Sequence, residues 1–177
     1  MTLANKITII RVLLIPAFLI AFAFSWFSVC LAIIVLAFVT DALDGHIART
    51  YNQITTFGKF MDPLADKLFV LTAFICFASV GKISAWAVAI VLFRELLVDG
   101  IRTLAASEGK IVPANWWGKW KLFSQILTLI SLSIDGIWQL YGGMVSLSLI
   151  YIMLILTVIS GWTYLHQNWK LLSFKEK

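Results

Sequence analysis

Four aspartates stand within 26 residues: Asp41, Asp44, Asp62 and Asp66. Asp41, Asp44, Gly45 and Ala48 fall at i, i+3, i+4 and i+7, which is one stripe of an α-helix. Gly58, Asp62 and Asp66 repeat every four residues, so Asp62 and Asp66 share a face of the next helix. Two helices thus present paired carboxylates beside residues with almost no side chain, which leaves room for a ligand. All-oxygen carboxylate sets suit Mg2+ or Mn2+, hard cations that bridge to substrate phosphates. Bound metal would also offset the mutual repulsion of the acids. Two other readings are open at this point: an ion-pair network with Arg49, Lys59 and Lys67, and a proton or ion relay of a transporter. Ion pairing needs no glycines at matched positions, so the pattern favours a ligand site.

The elements that must position these acids belong to a membrane protein. The chain of 177 residues is 61% hydrophobic and only 13% charged; a soluble domain has about 45–50% and 25%. Val12 to Thr40 carries no charge at all. That stretch is too short for two spans of about 20 residues and too long for one. Helix 1 must therefore start near Asn5, turn near Phe24–Ser28, and return as helix 2 to about Arg49. Asp41 then lies roughly 20 Å down an apolar core about 30 Å thick. A charge at mid-membrane costs about 2.5–3.5 kcal/mol, so four acids need a partner or a task. Helix 3 is predicted from Asp62 to Val80, opened by Asp62-Pro63. Helix 4 runs from Ser84 to Ser107, helix 5 from Gly118 to Ile134, and helix 6 from Gly142-Gly143 to near His166. Pro16 is a kink candidate in helix 1.

The expected fold is an all-α integral membrane protein with six transmembrane helices and a cytoplasm-facing polar cavity, in a single domain over residues 1–177. An even helix count puts both termini on one side. Most Lys and Arg residues fall on that side, from Lys6 to Lys177, whereas Lys82 sits in an opposite loop. The bias makes the basic side cytoplasmic and the location the cytoplasmic membrane. Trp26, Trp86 and Trp138 fit an outer aromatic belt; Trp116, Trp117 and Trp169 fit an inner one. The net charge of +5 suits anionic membrane lipids. With no basic run or helix-turn-helix pattern, no nucleic-acid partner is expected. Lys6 and Arg11 precede a long apolar run as in a signal peptide, but no cleavage pattern follows, and the run reads as the first span. Cys30 and Cys76 read as buried small hydrophobes, and His46 and His166 as interfacial residues.

Asp41-x-x-Asp44-Gly45-x-x-Ala48-Arg49, eight residues, then Gly58-x-x-x-Asp62-x-x-x-Asp66 resembles the motif of the CDP-alcohol phosphatidyltransferase family at every defined position. The resemblance implies a six-helix membrane enzyme, often a homodimer, in which an acceptor hydroxyl attacks the lipid-side phosphorus of a CDP-linked substrate and CMP leaves. It implies that Asp41, Asp44, Asp62 and Asp66 hold divalent metal, two ions of Mg2+ or Mn2+. Asp66 would also take the hydroxyl proton. Gly45, Ala48 and Gly58 would make space for the CDP-lipid, with Arg49 beside them.

The acceptor is indicated elsewhere. "NKITIIR", with Asn5, Thr8 and Arg11 at i, i+3 and i+6, resembles the N-terminal signature of the family branch that makes phosphatidylglycerophosphate. Asn5 and Thr8 would accordingly serve the CDP-lipid. "RELLVDGIR" and "GKWKLFSQ" resemble the helix 4 and helix 5 signatures of that branch; the last helix carries no such signature. The implied substrates are CDP-diacylglycerol and glycerol 3-phosphate. The latter is a dianion, so its pocket needs cations beyond the metals. Arg94 and Arg102, eight apart, lie on similar faces; Lys119 and Lys121, two apart, point in different directions. These four are the candidate glycerol-phosphate ligands. Arg94 could equally pair with Glu95 or Asp99. Asp99 departs from the branch pattern and is tolerable beside an anion pocket if it orients Arg94 or Arg102. The alternatives are a cardiolipin synthase or another family enzyme with a different acceptor, in which these cations matter less, and an ion-coupled transporter.

Overall fold

A computed structural model describes residues 3–51, 56–107, 109–110, 112–113, 115–138 and 143–169; the side chains of residues 3–8, 42–51, 56–63 and 66 lie outside that description. The described residues form six α-helices and no strand: α1 Leu3–Ala23, α2 Phe27–Tyr51, α3 Thr56–Ser79, α4 Ala85–Ser107, α5 Trp116–Trp138 and α6 Met144–Gln167. At about 1.5 Å per residue each is long enough to cross an apolar layer of about 30 Å. By length and composition, α6 alone among the described helices is apolar enough throughout to cross a membrane; α1, α2 and α3 carry shorter apolar runs at Ile9–Ala23, Phe27–Asp41 and Lys67–Ser79. The remaining turns of those helices hold their polar residues.

The helix ends have local causes. Ser25 adopts φ 57° between α1 and α2, and Trp26 N–H donates to Ala21 O, closing the turn expected near Phe24–Ser28. Gly81 at φ +72° ends α3, with Gly81 N–H on Ala78 O and Lys82 N–H on Phe77 O. Gly109 ends α4 by the same pair of bonds, a left-handed cap that a residue with a Cβ adopts only at a cost. Two boundaries differ from expectation. Helix α3 starts at Thr56, not Asp62, so Pro63 is inside it. A proline removes one N–H bond but does not stop a helix whose flanks favour it, as membrane helices show. Helix α5 runs on to Trp138, not Ile134, because Gly136 does not end it.

The helices pack as a closed ring. Helix α1 contacts α2 and α3, α2 contacts α5, α5 contacts α6, α6 contacts α4, and α4 returns to α3. Apolar residues hold the end of the bundle away from the acids. Phe22 lies in edge contact with Phe27 and Phe77, at 5.8 and 5.2 Å, and Phe18 with Phe69 at 5.7 Å. Each such pair contributes about 0.5–1.5 kcal/mol beyond its buried area. Hydroxyls stitch α6 to its neighbours: Thr128 Oγ1 donates to Leu149 O, Ser131 and Ser146 share a 2.6 Å bond, and Asn115 Nδ2 donates to Thr163 Oγ1. Small and hydroxyl residues at such seams suit helix association where lipid removes the hydrophobic drive.

The distribution of polarity is reversed from that of a soluble protein. Leu13, Phe24, Trp86, Phe93, Leu96 and Trp162 are exposed, whereas Arg11, Glu95, Lys121, Gln125 and Asp135 are buried. Apolar exposure on this scale marks a surface made for lipid or for another protein.

Candidate functional site

A cavity of about 260 Å3 opens inside the ring, between α1, α2, α3, α4 and α5. Its polar lining is Arg11, Asp41, Lys67, Glu95, Lys121 and Gln125. Its floor is apolar, formed by residues such as Ile34, Phe69, Val91 and Leu129. A space with charged walls and an apolar floor suits a ligand that is itself part ionic and part lipid.

The acidic wall begins at Asp41, the one motif aspartate whose side chain is described. It is partly exposed, and its Oδ1 lies 3.3 Å from Nη2 of Arg11, which is almost fully buried. Arg11 comes from α1, which packs against α2 and so brings the guanidinium to Asp41. The remaining motif positions are placed by their backbone. Asp44, Gly45, Ala48 and Arg49 continue in α2 without a break, and Gly58, Asp62 and Asp66 all fall in α3. The early start of α3 puts Gly58 in the same helix as both of its aspartates, so the four-residue repeat is a true helical stripe. Asn5 and Thr8 lie in α1. The side chains of these nine residues lie outside the described residues.

The basic wall is a buried trio. Lys121 of α5 donates to Glu95 of α4, and Arg94 lies 3.4 Å from the other oxygen of the same carboxylate. Arg94 Nη2 also donates to Ser160 Oγ of α6 at 2.6 Å. Glycines make the room: a Cβ on Gly161 would lie 3.3 Å from Arg94 Cγ, and one on Gly118 would lie 3.6 Å from Nη2. Two cations on one carboxylate leave a net positive charge where water is scarce, and an anion is the natural complement. Arg94 Nε and Gln125 Nε2 are buried donors with no acceptor among the described residues. Each such group costs about 1–3 kcal/mol unless a ligand or water fills the gap.

The four predicted glycerol-phosphate residues are thus spread out. Lys121 lines the cavity; Arg94 lies behind it, bound to Glu95 and Ser160. Arg102 donates to the Tyr164 hydroxyl at 3.0 Å and lies over its ring. Lys119 is exposed and lies 5.2 Å above the ring of Trp116, so the lysine pair does diverge. Asp99 pairs with Lys67 of α3 rather than with either arginine, because α3 packs against α4 on that side. Four polar cavity residues were not singled out as site residues from sequence: Arg11, Lys67, Glu95 and Gln125. Gln125 had a signal, since it lies four residues after Lys121 and shares its helix face. The last helix, without a signature of its own, supplies Ser160 and Tyr164 to the two arginines.

The donor set can be tested against a divalent metal. The motif offers four carboxylates and no thiolate, on two helices that keep their register through every acidic position. Asp41 pairs with Arg11 through Oδ1 at 3.3 Å, so a metal there would share the carboxylate with the guanidinium. Hard all-oxygen ligation of this kind fits Mg2+ or Mn2+.

A family model described as CDP-alcohol phosphatidyltransferase matches residues 1–164. A Bacillus subtilis protein named CDP-diacylglycerol–glycerol-3-phosphate 3-phosphatidyltransferase is 36% identical over 186 residues, covering 96% of both chains. A Haemophilus influenzae protein of the same name is 37% identical, covering 90% of this chain and 89% of its own. A Mycobacterium tuberculosis protein named probable phosphatidylglycerophosphate synthase is 34% identical over 92% of this chain and 79% of its own.

Proposed function

The chain belongs to the CDP-alcohol phosphatidyltransferase family, and from that premise we propose that it transfers the phosphatidyl group of CDP-diacylglycerol to glycerol 3-phosphate. The products are phosphatidylglycerophosphate and CMP. The observation that carries the reading is the cavity that gathers Asp41 of the acidic motif and the buried Lys121–Glu95 pair around one apolar-floored space. Relatives named for this reaction match most of the chain.

The acceptor hydroxyl forms a new bond to the lipid-side phosphorus, the bond from that phosphorus to the CMP oxygen breaks, and the hydroxyl proton goes to Asp66. A carboxylate within hydrogen-bond reach of the nucleophile is a competent base. Asp41, Asp44, Asp62 and Asp66 would hold two divalent ions. Such ions, when bound, neutralise the phosphates and the charge that builds on the leaving oxygen. Gly45, Ala48 and Gly58 leave space for the nucleotide, with Asn5, Thr8 and Arg49 at its edges. Lys121 binds the phosphate of the acceptor, and Glu95 holds Lys121 in place. Arg94 acts through Glu95, while Arg102 and Lys119, nearer the surface, attract the dianion. Gln125 donates to an ester or phosphate oxygen of the lipid.

The six helices span the cytoplasmic membrane, with the cavity and both termini on the cytoplasmic side. The exposed apolar belt and the one-sided Lys and Arg support this placement. Lipid tails enter sideways from the bilayer; CDP and glycerol 3-phosphate headgroups meet at the polar end. The family resemblance supports a homodimer. The test is CMP release by the purified protein from CDP-diacylglycerol in Mg2+. Release that depends on glycerol 3-phosphate supports the reading; no release by the folded protein refutes it.

A further inference from the structure

A second pocket, of about 400 Å3, lies at the opposite end of the bundle from the acidic motif. It is formed where the α3–α4 turn meets the end of α5 and the start of α6, and is lined by Lys82, Asp135, Gly143, Ser146, Leu147 and Ile150 among others. Asp135 is 94% buried, at 6% exposure, and makes no hydrogen bond or ion pair among the described residues. It also sits in the last turn of α5, where the helix dipole is negative. The Asp135 carboxylate therefore faces the pocket without a cation of its own, and a bound cationic group would complement it. Ser146, buried beside it in the lining, has an oxygen already engaged by Ser131 at 2.6 Å. Gly143 adopts φ +78° and its backbone packs close to the carboxylate, a Cβ there standing 3.5 Å from Asp135 Oδ2.

A bare metal ion fits poorly, because Lys82 lines the same pocket. Lys82 makes no ion pair with Asp135 among the described residues, so a positive and a negative group stand apart across one space. The complement is a ligand with its own separated negative and positive groups. Leu147 is both lining and exposed, and Tyr151 and Ile155 continue its exposed stripe along α6. That stripe offers an apolar track leading away from the pocket.

We propose that this pocket binds the headgroup of a zwitterionic phospholipid bearing a primary ammonium, with the ammonium on Asp135 and Ser146, the phosphate on Lys82 and an acyl chain along α6. The site is separate from the transfer cavity and depends only on the placement of the helices in lipid.

The test uses the full-length protein in detergent, with native mass spectrometry of bound dioleoyl lipids. Phosphatidylethanolamine should remain bound about tenfold better than phosphatidylcholine, whose quaternary nitrogen cannot donate; tenfold corresponds to about 1.4 kcal/mol. Asp135→Asn should lose that preference without a lower Tm, since it removes the negative group that faces the ammonium, keeps the shape and breaks no hydrogen bond or ion pair among the described residues. Lys82→Ala should weaken phosphatidylethanolamine binding severalfold. Equal retention of the two lipids by the native protein overturns the proposal. So does a fall in Tm for Asp135→Asn with loss of all lipids alike, which would mark a structural acid. Free phosphoethanolamine binding as tightly as the lipid would also overturn it, since the ligand would then be a soluble zwitterion.

Discussion

Asp66 and Lys121 divide the chemistry between them in this account, and they make separable predictions. Asp66→Asn keeps an oxygen ligand but loses the base, so turnover should fall by about 100-fold or more while CDP-diacylglycerol binding persists. Turnover near the native rate would remove Asp66 from that role. Lys121→Met should raise KM for glycerol 3-phosphate by about 10- to 100-fold, the scale of a lost charge-assisted bond. It also leaves Glu95 buried beside Arg94 alone, which threatens folding. The double variant Glu95→Leu with Lys121→Met removes both charges, and its Tm, compared with that of the single variant, separates binding from stability. Gln125→Leu should raise KM for CDP-diacylglycerol and leave that for glycerol 3-phosphate near native. Michaelis profiles in both substrates distinguish the three single variants.

At the scale of helices, glycines set the close approaches between elements. Gly136 of α5 meets Phe27 at the start of α2, where an added Cβ would come within 2.5 Å of the ring. Gly136→Ala should therefore lower Tm, with a cost of about 1–3 kcal/mol. Gly161→Val should instead crowd Arg94 and reduce kcat/KM with a smaller change in Tm, because the displaced neighbour is a long side chain. Helix number and the acidic stripes were legible in the sequence because hydropathy and four-residue spacing are local properties. The start of α3 was not, since Asp62-Pro63 is a good helix opening judged locally and only the register of the whole helix shows otherwise. The Arg11–Asp41 pair was also hidden: each residue was notable, but the meeting of α1 and α2 is a matter of packing. Helix α6 looked featureless, yet Ser146, Ile150, Met153, Thr157, Ser160 and Tyr164 form one buried stripe at steps of three and four. That seam could have been read from its spacing; the arginines that use it could not.

The molecule as a whole is polar inside and apolar outside, with charge gathered toward one end. That pattern predicts a topology. In a Cys30→Ala, Cys76→Ala background, Lys82→Cys should react with an impermeant maleimide from outside intact cells, and Lys110→Cys only after lysis. Reversed labelling would contradict the orientation. Under the proposed function the same asymmetry would let a water-borne dianion and a membrane-borne nucleotide lipid meet in the cavity, and acceptor choice decides between that reading and its alternatives. The most direct measurement is a competition. Purified protein with CDP-diacylglycerol and Mg2+ is given equal glycerol 3-phosphate, phosphatidylglycerol, serine and inositol phosphate, and the lipid products are identified by mass. Phosphatidylglycerophosphate should be the dominant product, formed in step with CMP; cardiolipin, phosphatidylserine or an inositol phospholipid in its place would refute glycerol 3-phosphate as the acceptor.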